Sequence, residues 1–90
     1  MNLKVSTKSD VRKVAGAIVS ILLEGKDVFL DVIGAGALNQ AVKAVAVARS
    51  FTITSGMDLL ISPSFTNLGN VGEESNDITG LTLKIVKVEG

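Results

Sequence analysis

"IGAGALNQAVKAVAVAR", residues 33–49, decides how this chain folds. Gly34 and Gly36, one residue apart, make a tight turn, and a run dominated by alanine and valine follows it. The run reads as a helix from about residue 37 to residue 50. On a helical wheel Asn39, Lys43 and Ser50 form one narrow polar stripe, with Gln40 beside it. Leu38, Ala41, Val42, Ala44, Val45 and Ala48 fill most of the remaining circumference. That arc is wider than the ~100° stripe a helix needs to cover one sheet, so this helix is expected to be covered on two sides.

Just upstream, "DVFLDVI" (27–33) is short and β-branched and reads as a central strand. Before it, Val11, Val14, Ala15, Ile18 and Leu22 follow helical spacing, while Arg12, Lys13, Ser20 and Glu24 lie off that face. Ser9 or Asp10 supplies the N-cap of this first helix, and Gly25 ends it. "LKVS" (3–6) alternates like a half-buried strand.

Downstream, "GMDLLISPSF" (56–65) is a third strand. Pro63 cannot donate to a ladder, which places that stretch at an edge or a bulge. "TNLGNVGEESND" (66–77) is a polar loop, and "ITGLTLKIVKV" (78–88) is a fourth strand.

The order β-α-β-α-β-β predicts a right-handed crossover between two parallel strands, followed by a long hairpin. The expected fold is therefore α/β in the broad sense. More narrowly it is an α+β two-layer sandwich, with both helices on one face of a four-stranded mixed sheet and residues 1–90 forming a single domain.

Composition narrows the function. Apolar residues make up 47% and aromatics only 3%, so the core must be aliphatic, with Phe29, Phe51 and Phe65 expected inside it. Charges interrupt every apolar run before the ~18 residues a membrane span needs, and the N-terminus lacks an apolar signal segment, so a cytoplasmic protein is expected. Cysteine and histidine are absent, which removes disulfides, thiol chemistry, the usual zinc ligands and the commonest general base. Asp27, Asp31 and Asp58 are scattered and read as solvated strand ends rather than an acid pair or metal site. No enzyme, metal or cofactor is expected. Nine basic and nine acidic residues balance, so any nucleic-acid contact must come from local clustering.

"LKVSTKSDVRKVAGAI", "VIGAGALNQAVKAVAVARSF" and "SGMDLLISPSF" resemble the stage V sporulation protein S family over nearly the whole chain, from Leu3 to about Val86. The resemblance implies an Alba-like fold and a regulatory role in sporulation or a related developmental switch. It also implies a homodimer that contacts DNA or RNA at three places. These are the loop after the first strand (Thr7, Lys8, Ser9), the turn Gly34, Ala35 and Gly36 with Asn39, Gln40 and Lys43 on the helix it opens, and the long hairpin. This chain departs from the family at its end. The family's turn is a compact "GEER-T-A", whereas "GEESNDITG" is longer and places Ser75 where the family has arginine. With Glu73, Glu74 and Asp77 this hairpin repels phosphate, and suits a basic protein partner instead.

"GAGALNQ" leads into a helix start, where free N–H groups and the dipole favour an anion. The third glycine of a dinucleotide fingerprint is missing, and Gly34 and Gly36 are equally explained by positive φ and close packing. Lys8, Arg12 and Lys13 read either as a solvated helix start or as phosphate contacts. Lys43 extends the polar stripe of Asn39, and Arg49 suits the helix C-terminus. The expected nucleic-acid-binding set is Lys8, Ser9, Arg12, Lys13, Gly34, Gly36, Asn39, Gln40 and Lys43. The alternatives are a protein-interaction module of the same fold without nucleic-acid affinity, and a small-anion sensor using only the glycine turn.

Overall fold

A computed structural model describes residues 1–66 and 80–89. In chain order the elements are β1 (Asn2–Lys4), α1 (Val11–Leu23), β2 (Val28–Ile33), α2 (Ala35–Thr52), a short 3₁₀ turn (Ile53–Ser55), β3 (Met57–Phe65) and β4 (Gly80–Glu89). The sheet runs β1-β2-β4-β3, with β1 parallel to β2 and β4 antiparallel to both of its neighbours. The expected four-stranded mixed sheet is thus present, and β2 is central. The acidic loop with Glu73, Glu74, Ser75 and Asp77, and the first residues of the expected last strand, lie outside the described residues.

The alternation in β2 separates two layers. Val28, Leu30 and Val32 are buried beneath the helices, while Phe29 and Asp31 are half-buried and Ile33 is exposed on the other face. Register extends this apolar layer sideways, because Leu30 lies opposite Leu83 and beside Leu3, and Val28 lies opposite Ile85. From above, Ala15 and Ile18 of α1 and Ala41, Ala44 and Ala48 of α2 complete the core. α2 packs against α1, β2 and β3. Its covered arc is narrower than the wheel suggests, since Val42 remains 44% exposed and Ala46 is exposed too.

The ends of α1 follow from local chemistry. Asp10, not Ser9, is the N-cap: its Oδ1 accepts from the Arg12 N–H at 2.9 Å and the Lys13 N–H at 3.2 Å. At the other end Gly25 takes φ 81°. Its N–H donates to the Leu22 carbonyl at 3.0 Å, and the Lys26 N–H donates to Ile21 at 3.2 Å. These paired bonds form a Schellman stop.

Pro63 sits on an edge strand, and no bulge is needed to hold it, because the β3–β4 register is unbroken from Met57 to Phe65. The Thr66 N–H donates to the facing Gly80 carbonyl at 3.0 Å. By the two-residue alternation of an antiparallel ladder, Ser64 and Ser62 also bond to β4, while Pro63 falls at a position whose N–H would point to the free edge.

Two expectations about side chains are overturned. Phe51 and Phe65 are 62% and 56% exposed, and only Phe29 is partly covered. Phe51 lies on the last turn of α2, near Leu23 at the end of α1, which is itself 77% exposed. Phe65 closes an edge strand and has a neighbouring strand on one side only. Of the carboxylates, Asp27 is exposed just before β2, as a solvated strand end should be, while Asp31 and Asp58 differ. Asp31 lies within β2 and accepts from Asn2 Nδ2 at 3.0 Å and from Thr82 Oγ1 at 2.7 Å. Arg49 is in the last turn of α2, but its guanidinium is committed to Asp58 at the start of β3.

The hydrogen bond from Arg49, helped by the Leu59 N–H at 2.8 Å, holds the Asp58 carboxyl below the usual carboxylate range. A carboxylate depressed in the folded state stabilises fully above its unfolded pKa of ~3.9, and that contribution is lost as pH falls below it. Thermal melts should therefore show Asp58→Asn less stable than wild type at neutral pH. The difference should close as the pH is lowered below ~4.

Candidate functional site

The parallel strands β1 and β2 end at the same side of the sheet, and both chain segments leaving them turn toward the start of α2. After β1, the Val5 N–H is still bonded to the Asp31 carbonyl at 3.0 Å. Residues 6–9 then form a self-bonded turn. The Ser6 N–H donates to Ser9 Oγ at 2.9 Å, the Ser9 N–H donates to the Ser6 carbonyl at 3.1 Å, and the Lys8 N–H donates to Ser6 Oγ at 3.2 Å. Small hydroxyl side chains on either side of Lys8 are what permit this local bonding.

After β2, Gly34 takes φ 91°, a conformation open to glycine and strained for other residues. α2 begins at Ala35, two residues earlier than the sequence suggests, so Gly36 belongs to its first turn rather than to the connection. Gly36 is required by proximity, since a Cβ there would fall on the Thr7 methyl. No side chain caps α2, and its first helical bond runs from the Leu38 N–H to the Gly34 carbonyl at 3.1 Å. The N–H groups of Ala35, Gly36 and Ala37 therefore have no acceptor within the helix. The start of α1 differs. There Asp10 already occupies the place an anion would take, so the two helix starts are not equivalent.

Gln40 departs from the expected outward stripe. It is half-buried, and its Nε2 donates to the Ser9 carbonyl at 3.0 Å. Asn39 and Lys43 are exposed on α2, with Lys43 one turn further from the glycines. Lys8, Arg12 and Lys13 are exposed as well. Lys8, Arg12, Lys13 and Lys43 have no ion-pair partner among the described residues, where the pairs formed are Lys26–Glu24 and Arg49–Asp58. The fold thus joins Ser9 to Gln40 and brings Thr7, beside Lys8, against Gly36. Gly34, Arg12 and Lys13 flank these contacts, and Asn39 and Lys43 stand further along α2.

Beside the loop lies a cleft of about 650 Å³, lined by Lys4, Ser6, Thr7, Asp31, Ile33 and Thr66 among others. Lys4 adds a cation that the sequence reading passed over. The signal was its place in "LKVS", where alternation sets it opposite Leu3 and Val5 at the end of β1. Among the described residues there is no group of three or more metal-ligating side chains, and no buried side-chain polar atom lacks a partner.

The tightness at Gly36 makes a direct prediction. Gly36→Ala should destabilise the protein by ~1 kcal/mol, because the added methyl displaces the stiff, β-branched Thr7. Combined with Thr7→Ser, which removes the clashing methyl, the same change should be neutral or stabilising, since alanine outranks glycine in a helix by up to ~1 kcal/mol. Chemical denaturation of the two variants checks this.

Two helices laid on one face of a β1-β2-β4-β3 sheet, with the loop after β1 locked onto the start of α2, define a small Alba-like α+β sandwich. The chain belongs to the stage V sporulation protein S (SpoVS) family, whose family model matches residues 1–88. No helix among the described residues is long and apolar enough to cross a membrane.

Proposed function

We propose that this sporulation-family protein is a small, cytoplasmic, non-enzymatic regulator that binds nucleic acid as a homodimer. Phosphates would be gripped by Lys8, Arg12, Lys13 and Lys43, with the N–H groups near Gly36 assisting. The observation that carries this reading is the uncapped start of α2 beside the Lys8 loop, at an end where these four cations have no acidic partner among the described residues.

The balanced net charge conceals an asymmetry that supports it. Glu73, Glu74 and Asp77 hold three of the nine acidic residues, so the rest of the chain sets nine cations against six anions. Val42 and Ala46, uncovered on α2, offer the surface for a second subunit. Phe65 is exposed beside Thr66 of the cleft and gives a single strand one face to stack on.

Fluorescence anisotropy with a labelled duplex and a labelled single-stranded RNA tests the proposal. If each subunit of a dimer meets about three phosphates, the log–log salt slope on duplex should be near −5. A salt-independent affinity, or no binding at low salt, would overturn it. The second reading, a protein-interaction module, is favoured by the exposed apolar pair Leu23 and Phe51 at the far ends of the helices. It becomes the better one if both nucleic acids fail to bind.

A further inference from the structure

We infer that Gln40 is a positioning residue: it fixes the Lys8 loop against α2 and does not itself touch nucleic acid. The inference rests on the proposed nucleic-acid reading and assigns Gln40 a different part in it. Lys8 lies between two anchors. On one side Thr7 is pressed against Gly36, where there is no room even for a Cβ. On the other, the Ser9 carbonyl accepts from Gln40 Nε2 at 3.0 Å. The Ser9 hydroxyl is occupied too, by the Ser6 N–H at 2.9 Å.

The Gln40 bond spans 31 residues of sequence and is a long-range side-chain tie from α2 to this loop. Its carbonyl acceptor immediately precedes Asp10, the cap of α1, so one amide fixes both the loop and the entry to the helix. Gln40 is half-buried, with its donor turned inward, which leaves it poorly placed to reach a phosphate or a base edge. A long cation such as Lys8 loses much side-chain freedom on binding. Holding its backbone beforehand lowers the ordering cost of meeting a phosphate.

Gln40→Met tests this, because methionine keeps the length and the helix propensity but has no donor. Two readouts are needed, on the free protein and on its binding. In the free wild type, NMR order parameters for residues 7–9 should match rigid backbone, near 0.85, and in Gln40→Met they should fall toward ~0.6. In binding, Gln40→Met should weaken duplex affinity by about fivefold, the size of a lost neutral hydrogen bond. It should also lower the salt slope toward that of Lys8→Ala. In the Lys8→Ala background it should add nothing, which is the mark of two residues acting as one unit.

Unchanged order parameters would overturn the tie. Additive losses with an unchanged salt slope would also overturn the inference, since a neutral amide touching nucleic acid directly releases no counterion. If Lys8→Ala alone left binding intact, Lys8 would lose its place in the interface and the inference would fall with it. The order parameters of the free protein would then still report separately on whether Gln40 holds the loop.

Discussion

Replacing Lys8 and Lys43 together with alanine is expected to lower the duplex salt slope from near −5 to about −2. The estimate follows from counterion release. Each neutralised phosphate contributes ~0.9 to the slope, and two cations lost from each of two subunits remove up to about four contacts. A slope difference of about 3.6, acting over the fourfold range from 50 mM to 200 mM salt, should narrow the gap between wild type and variant by about 100-fold. The loss at 50 mM should therefore exceed ~100-fold. Both side chains are exposed and have no ion-pair partner among the described residues, so the melting temperature should be unchanged. Equal slopes for the two proteins would remove these residues from the interface, whatever their affinities.

The second large effect belongs to the core. Leu30 is fully buried on central strand β2, beside Leu3 and opposite Leu83, beneath both helices. Leu30→Ala removes three carbons and leaves a cavity among packed aliphatic side chains such as Ile18, Leu83 and Ile85. The expected cost is ~3 kcal/mol. A domain of this length has ~5–10 kcal/mol to lose, so the denaturation midpoint should fall by roughly a third or more. Leu60→Ala is the control. That leucine is 53% exposed on β3, and its truncation should cost less than ~1 kcal/mol. Equal losses at the two positions would contradict the layering.

Much of the architecture was legible because period and punctuation agreed. The β-branched run before Gly34, the helical spacing from Val11 and the stop at Gly25 each point to one element, and their succession implies the parallel pair and the final hairpin, though not that β4 rather than β3 lies beside β2. What the sequence left open depends on distance across the fold. The wheel of α2 gives an angle for Gln40 but not the Ser9 carbonyl waiting beside it. Similarly, Gly36 looks like a turn glycine until Thr7 is seen to occupy the space above it. Composition suggested that scarce phenylalanines would be inside. Buried alanines instead let α2 lie close over the sheet, and Phe51 and Phe65 were left at the margins. The partnership of Arg49 with Asp58 was hidden for the same reason, since nine residues and a change of element separate them.

The placement of Pro63 bears on how the protein behaves when crowded with copies of itself. A nine-residue margin of unpaired backbone is a template on which further strands can add, chain after chain, until fibres result. Along β3 the N–H groups of Met57, Leu59, Ile61 and Phe65 belong to the free edge, but that of Leu59 is already given to Asp58 Oδ1 and Pro63 has none. An incoming strand therefore meets a missing donor in each half of the margin, at Leu59 and at Pro63. Both gaps work against the continuous ladder that strand-by-strand growth from this edge would need.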